Sequence, residues 1–302
     1  MSDTIQNEST VLSLNGNPIK KEIQSRLIEE IGMLTLQSAQ FPNPPHLAIV
    51  LVGDNSRSKV FIEQKKKFAS AIGVEVSFIE HPEYITTGEL ESSLTELAVD
   101  PKIHGIILQL PLPESFSKED TERAVNTIPQ IKDVDGITST NLGYLVKESA
   151  MATTPATARG IVEMLKYYEI DPKGKHIVIV GKSYLVGKPV ALTLLALDAT
   201  VTVCHKETEN LAEITRTADI LISATGVSGL ITKEFTKEGQ VIIDIGISVN
   251  DQGEISGDVD PSVAGPDADP KIAALSPVPG GVGPMTVSGL FLNLIDLYKK
   301  QK

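Results

Sequence analysis

The chain has one cysteine, no tryptophan and only 4% aromatic residues in a length of 302. Cys204 alone closes no internal disulfide and cannot build a Cys-rich zinc site. The five histidines, His46, His81, His104, His176 and His205, never fall at H-x-x-x-H spacing, so no metal site is expected. Positive charge is also short: 27 Lys+Arg face 39 Asp+Glu, a formal net charge of −12. That balance argues against nucleic acid or an anionic membrane as the main partner. No apolar run approaches the ~20 residues that span a bilayer. Met1 to Thr10 has neither the basic start nor the apolar centre of a signal peptide, so a soluble, cytoplasmic protein with ten frayed leading residues is expected. The rest is ordinary globular composition, 41% hydrophobic and 22% charged. At roughly 150 residues per domain the length suggests two domains.

The first half alternates helical and strand patterns. Ile19, Ile23, Leu27, Ile31 and Leu34 recur every three or four residues after Pro18, a helix whose first turn accepts proline. After the loop Phe41 to Pro45, the continuous apolar run Leu47 to Val52 reads as a buried strand. A helix over about 58–71, a strand over 74–79, a helix face at Leu90, Leu94 and Leu97, and a strand over 103–109 follow. This is the grammar of βαβ units on a mostly parallel sheet. The second half repeats it: a helix near 158–168, strand 176–180, a glycine-bounded loop 181–187, a helix to about 197, strand 200–204, a helix near 209–217, and strands 220–223 and 241–245. The expectation is an α/β protein of two domains, residues 1–150 and 151–283, the second doubly wound, with the polar stretch 148–154 between them. An amphipathic helix over about 285–298, after Pro277 to Pro284, is placed to run back onto the first domain.

Several residues stand where chemistry is possible. Strand, glycine loop and helix in that order aim free N–H groups at a pyrophosphate. Here the loop is Gly181-Lys-Ser-Tyr-Leu-Val-Gly187; Ser183 replaces the middle glycine of G-x-G-x-x-G, so a plain βα turn stays open as a reading. The next strand ends in His205-Lys206 rather than in an acid. Lys182 and Lys206 therefore favour the 2′-phosphate of NADP over NAD, although Glu207 makes a solvated charged turn the alternative. Phe61 and Lys65, four apart, share a helix face, but Lys65-Lys66-Lys67 by spacing alone reads more readily as a solvated patch. Gln109 closes its strand at the carboxyl edge of the sheet, where open α/β sheets bind ligands. Asp133 and Asp135 form either a turn or a carboxylate clamp for an amidine-like ring edge.

Four strings, Gly105-Ile-Ile-Leu-Gln-Leu-Pro-Leu-Pro113, Lys132-Asp-Val-Asp-Gly136, Val180-Gly-Lys-Ser…Val186-Gly-Lys-Pro189 and Pro277-Val-Pro-Gly-Gly-Val-Gly-Pro-Met-Thr286, together resemble one family. It is the bifunctional methylenetetrahydrofolate dehydrogenase/methenyltetrahydrofolate cyclohydrolase family of one-carbon metabolism. The resemblance runs in order from about Leu47 to Leu294. It implies an N-terminal folate-binding catalytic domain, a Rossmann-type NADP-binding domain and an active site in the cleft between them. It implies tetrahydrofolate derivatives as substrates, a homodimer, a cytoplasmic location and a link to purine biosynthesis. By the same resemblance Lys65 is the general acid/base, Gln109 bonds and tunes it, and Asp135 grips the pterin. Phe61 and the loop Pro279-Gly280-Gly281 lie on the folate side; Gly181, Lys182, Ser183, Lys206 and Ile247 lie on the cofactor side.

The chain also departs from the family's pattern. The family's tyrosine four residues before the lysine is Phe61, its Pro-Cys-Thr-Pro loop is Pro155-Ala-Thr-Ala158, and its arginine after the first loop glycine is Lys182. A dehydrogenase with a faded cyclohydrolase, a silent folate- or nucleotide-binding homologue, and a Rossmann dehydrogenase for another substrate remain the alternatives at this point. The last does not account for Pro277 to Thr286.

Overall fold

Every residue of Leu47–Val52 is 2% exposed or less, as a strand covered on both faces demands. In the computed structural model, which describes residues 11–37, 43–249, 255–265 and 267–301, this run forms most of strand β2. The ten leading residues expected to fray, and residues 41–42 of the proline-rich loop, lie outside the described part.

The chain begins with β1 (Leu12–Ser13) and α1 (Gly16–Gln37), continues through β2 (His46–Val52), α2 (Ser56–Ile72), β3 (Glu75–His81), α3 (Thr87–Val99) and β4 (Gly105–Leu108), and then through α4 (Lys118–Asn126) and α5 (Ser139–Val146). Strands β3-β2-β4 make a three-stranded parallel sheet. The second half comprises α6 (Ala156–Tyr167), β5 (His176–Val180), α7 (Gly187–Leu195), β6 (Thr200–Cys204), α8 (Leu211–Thr217), β7 (Ile220–Ser223), β8 (Val241–Asp244), the short antiparallel pair β9 (Ser248–Val249) and β10 (Ile255–Ser256), β11 (Ala274–Leu275) and α9 (Val282–Lys300). Its main sheet is parallel in the order β1-β11-β8-β7-β5-β6. The first strand of the chain thus edges the second sheet, a pairing that two residues of sequence do not announce.

Local chemistry fixes the element ends near the site. Asn55 caps α2, its Oδ1 accepting from the Ser58 N–H at 3.0 Å, and Gly73 closes it in the left-handed region at φ 77°. α9 is buried nearly all round rather than along one stripe, because α1, α2 and α6 surround it. Phe68 of α2 stacks on Phe291 at 4.9 Å, and the Tyr298 hydroxyl donates to the Asn43 carbonyl at 2.5 Å. α6 and α9 touch backbone to backbone: a Cβ on Gly160 would stand 2.5 Å from the Met285 carbonyl oxygen, and one on Gly289 would overlap that of Ala156. Fully buried Asn293 ties this junction, donating to the Val134 and Thr154 carbonyls at 2.8 Å each and accepting from Arg159 at 2.7 Å. Among the described residues no helix is long and apolar enough to cross a membrane, and no cluster of His, Cys, Asp or Glu could hold a metal.

Candidate active site

α2 carries Phe61 and Lys65 on the face turned toward the carboxyl end of β4, so Lys65 is not the solvated residue its two lysine neighbours suggest. It is 7% exposed, while Lys67 is exposed and Lys66 lies over the Phe78 ring at 4.0 Å. Gln109 follows β4 directly and its backbone N–H bonds the Val50 carbonyl at 2.8 Å. Its side-chain amide donates to the Leu110 carbonyl at 2.9 Å, which leaves Oε1 to accept from Lys65 Nζ at 2.9 Å. Burial pushes the Lys65 ammonium down from its ordinary range, and the Asp135 charge opposes this. Asp135 responds in kind: burial raises its carboxyl and Lys65 lowers it. The site therefore holds an amine and an acid that both sit closer to neutrality than free side chains do.

The two aspartates of Lys132-Asp-Val-Asp-Gly136 divide their labour. Asp133 turns inward, 1% exposed, and accepts from the N–H groups of Gly136 (2.8 Å), Ile137 (3.3 Å) and Thr138 (2.9 Å). Burial pushes it up to about 6. It is the turn-former, and it presents Asp135 to the cleft. Buried Asn141 fastens the same turn to the 153–156 loop through the Gly136 carbonyl (2.8 Å) and both backbone groups of Thr153 (2.6 and 2.7 Å).

These groups line one end of a cleft. A lobe of about 340 Å³ is bounded by Phe61, Lys65, Gln109, Asp135, Thr157 and Thr286, with Leu185 and Val186 from the glycine loop. A second, more apolar lobe of about 590 Å³ runs past Ser56, Val60 and Gln64 to Pro279, Gly280 and Gly281. Phe61, Ile245, Ile247, Val282 and Gly283 line both, so the two are one continuous space. Lys65, Gln109, Asp135, Phe61, the Pro279-Gly280-Gly281 loop and Ile247 are thereby brought together. Gly181, Lys182, Ser183 and Lys206 line neither lobe; they occupy the adjoining rim at the carboxyl ends of β5 and β6, joined by the bond from Gly181 N–H to the Cys204 carbonyl at 2.9 Å.

That rim fits a dinucleotide. Gly181 sits at φ 125°, and a Cβ there would overlap the Ala224 carbonyl oxygen; one on Gly187 would overlap the Gly181 carbonyl. The loop is thus drawn tight against its own sheet, leaving its outer side open for pyrophosphate at the start of α7. Ser183 Oγ accepts from the Val186 and Gly187 N–H groups at 3.2 and 3.3 Å, so a side chain holds the loop where a middle glycine is absent. Lys182 is exposed, and so is Lys206, which pairs with Glu207 at 3.5 Å. Asp244, Thr157, Thr286, Gln64 and Ser56 also line the cleft, and sequence patterning had not singled them out.

Comparison with known proteins agrees with this geometry. Residues 14–135 match the catalytic domain of tetrahydrofolate dehydrogenase/cyclohydrolase, and residues 155–302 match its NAD(P)-binding domain. The bifunctional protein FolD of Aquifex aeolicus is 39% identical over 290 residues, covering 96% of both chains. FolD of Oceanobacillus iheyensis is 40% identical over 286 residues, 95% of this chain and 96% of its own. Among solved structures, the bifunctional FolD methylenetetrahydrofolate dehydrogenase/cyclohydrolase of Campylobacter jejuni superposes with a TM-score of 0.90 at 36% identity, over 97% of this chain and 100% of its own. The Trypanosoma brucei methylenetetrahydrofolate dehydrogenase-cyclohydrolase, solved with NADP and an inhibitor, superposes at 0.88 and 34%, over 96% and 98%. This chain belongs to the tetrahydrofolate dehydrogenase/cyclohydrolase family.

Proposed function

We propose that this protein oxidises 5,10-methylenetetrahydrofolate to the 5,10-methenyl derivative with NADP, and then hydrolyses that product to 10-formyltetrahydrofolate. The observation that carries the reading is the buried Lys65 amine, bonded to a neutral acceptor, Gln109, and facing Asp135 across a cleft roomy enough for a bicyclic ring. Bound NADP⁺ supplies the hydride acceptor. The protein's part in that first step is positional: Asp135 and Phe61 hold the pterin and its neighbouring ring, and Gly181, Lys182, Ser183, Lys206 and Ile247 hold the cofactor. In the second step water adds to the methenyl carbon, a base removes its proton, and the bond from that carbon to N5 breaks as N5 takes up a proton, leaving the formyl group on N10. A free lysine, near ~10.4, is a poor base at neutral pH. Burial makes the neutral amine of Lys65 accessible, and Gln109 orients it without adding charge.

The folate-binding unit is residues 1–150 together with the final helix, 284–302, and the cofactor unit is residues 151–283. The protein acts as a homodimer; support comes from β6, which among the described residues has no strand on its outer side and leaves Val203 exposed. Its place is the cytoplasm, where its product supplies one-carbon units to syntheses such as that of purines.

An absorbance time course with purified protein, 5,10-methylenetetrahydrofolate and NADP⁺, following NADPH and methenyl product separately, tests the reading. NADPH forming without methenyl accumulation is the expected result. Methenyl building up in step with NADPH would reduce the protein to a dehydrogenase, with Phe61 in place of a tyrosine as the first suspect. No NADPH, with NAD⁺ also tried, would overturn the assignment.

A further inference from the structure

Below the Ile245–Ile247 segment that floors the cleft lie two carboxylates that the chemistry above does not use. Asp244 ends β8 and is 3% exposed; Asp258 is fully buried beside it. Each reaches the other's backbone through a glycine: a Cβ on Gly246 would overlap the Asp258 carboxylate, and one on Gly257 would overlap that of Asp244. Asp244 accepts from the N–H groups of Gly246 (2.9 Å), Asp258 (3.1 Å) and Val259 (2.9 Å). Asp258 Oδ2 accepts from the Ser223 hydroxyl (2.8 Å) and the Thr225 N–H (2.7 Å), while its Oδ1, against Gly246, is buried with no partner among the described residues. Among the described residues no cation pairs with either. Asp244 also lines the larger lobe of the cleft.

We propose that the Asp244–Asp258 pair is a fixed counter-charge in the cleft wall that makes this protein bind the oxidised, cationic nicotinamide ring in preference to the reduced, neutral one. Two like charges held together without a cation are costly, and a positive ring arriving above Gly246 relieves that cost. Burial, with the Asp258 charge adding to it, pushes the Asp244 carboxyl up to about 6, the mark of a negative site short of positive partners. The two cofactor forms differ in charge only at this ring, so the discrimination is local to Ile247 and leaves the adenosine half untouched. The proposal rests on the placement of the nicotinamide end beside Ile247.

Asp258→Asn is the clean test. Its carboxamide oxygen can keep the Ser223 and Thr225 bonds, and its NH₂ takes the position of the unpartnered Oδ1. Binding of NADP⁺ and of NADPH is titrated separately on wild type and variant. The dissociation constant for NADP⁺ is expected to rise about three- to tenfold while that for NADPH stays within about twofold. Equal changes in both, or none, would overturn the proposal. A second measurement needs no variant: wild type should bind NADP⁺ at least about threefold tighter than its analogue with a neutral benzamide ring in place of nicotinamide. Equal affinity would refute the counter-charge even if D258N did not fold. Failure of wild type to bind either dinucleotide would instead defeat the cofactor placement, and this proposal with it.

Discussion

Replacing Lys65 with methionine separates what the amine does from what it costs. Methionine keeps an unbranched apolar stem, one atom shorter, but removes the group bonded to Gln109 Oε1. General acid–base catalysis by one placed side chain is worth typically ~10²- to 10⁴-fold, or about 3–5 kcal/mol of barrier. The hydrolysis of methenyltetrahydrofolate should fall by that factor, whereas hydride transfer, which needs no base, should fall far less. Stability should barely move. The ammonium's burial outweighs its attraction to Asp135, so removing the charge is favourable, and it offsets the roughly 1 kcal/mol of the lost hydrogen bond. A melting temperature within about 3 °C of wild type follows. The pH dependence has a definite sign. With the folded amine below its unfolded value of 10.5, the unfolded chain binds more protons between the two, so Lys65 costs wild type less stability as pH rises through that window. Any melting advantage of K65M therefore shrinks toward high pH. The assay follows methenyl decay and NADPH formation in parallel, with calorimetry on both proteins. A K65M enzyme with full cyclohydrolase activity would refute the assignment of proton transfer to Lys65.

Three further outcomes are expected. Gly181→Ala forces a side chain into the Ala224 carbonyl at a φ of 125°, so NADP⁺ affinity should drop at least about tenfold on titration; unchanged affinity would remove this loop from the cofactor site. Asn293→Ala strands the Val134 and Thr154 carbonyls and should cost about 2–4 kcal/mol by denaturant unfolding, with a loss below about 1 kcal/mol contradicting its role as the tie between α6 and α9. Asp133 has a folded value of about 6 against 3.8 unfolded, so it destabilises the fold above pH 6 and is relieved as pH falls through that value. The melting-temperature gap between wild type and D133N should therefore widen in favour of wild type from pH 7.5 to 5.5, and a constant gap would show that Asp133 does not titrate there.

Strands with two covered faces were legible because nothing but an unbroken apolar run survives there: β5 and β7 fall on the residues their patterns mark, and the edge strand β6, of which only Cys204 is buried, was legible from its alternation instead. Helix ends drifted by a few residues, at the capped α2 as well as at α9, which begins at Val282 because the glycines before it permit an early turn. β1 and β11 escaped notice since two residues carry no period, and their pairing depends on a partner more than 250 positions away. The site divided along the same line. Lys65 is unremarkable among three lysines until α2 is laid against β4, and only then does its burial emerge. Asn293 interrupts an apolar stretch, a signal that could have marked it as a satisfied buried polar group, whereas Asp258 stands among polar residues and glycine and carries no such signal; what each holds together is a matter of tertiary structure. Lys206 was readable in both its aspects, a cation at a strand end and a member of a solvated turn with Glu207, and the structure leaves it exposed and paired with that residue.

The placement of α9 also has a consequence for the order in which the molecule can be made. The three strands of the first sheet leave the ribosome by Leu108, yet the helix that covers Phe68 and accommodates Tyr298 starts only at Val282. At about 5–20 residues per second, some 170 intervening residues take roughly 9–35 s to synthesise. Through that interval the α1 and α2 faces that pack on α9 have no partner, while every strand of the second sheet except β1 is still being delivered. The lobe that is translated first is thus completed last, and its apolar faces for α9 stay uncovered until the end of synthesis.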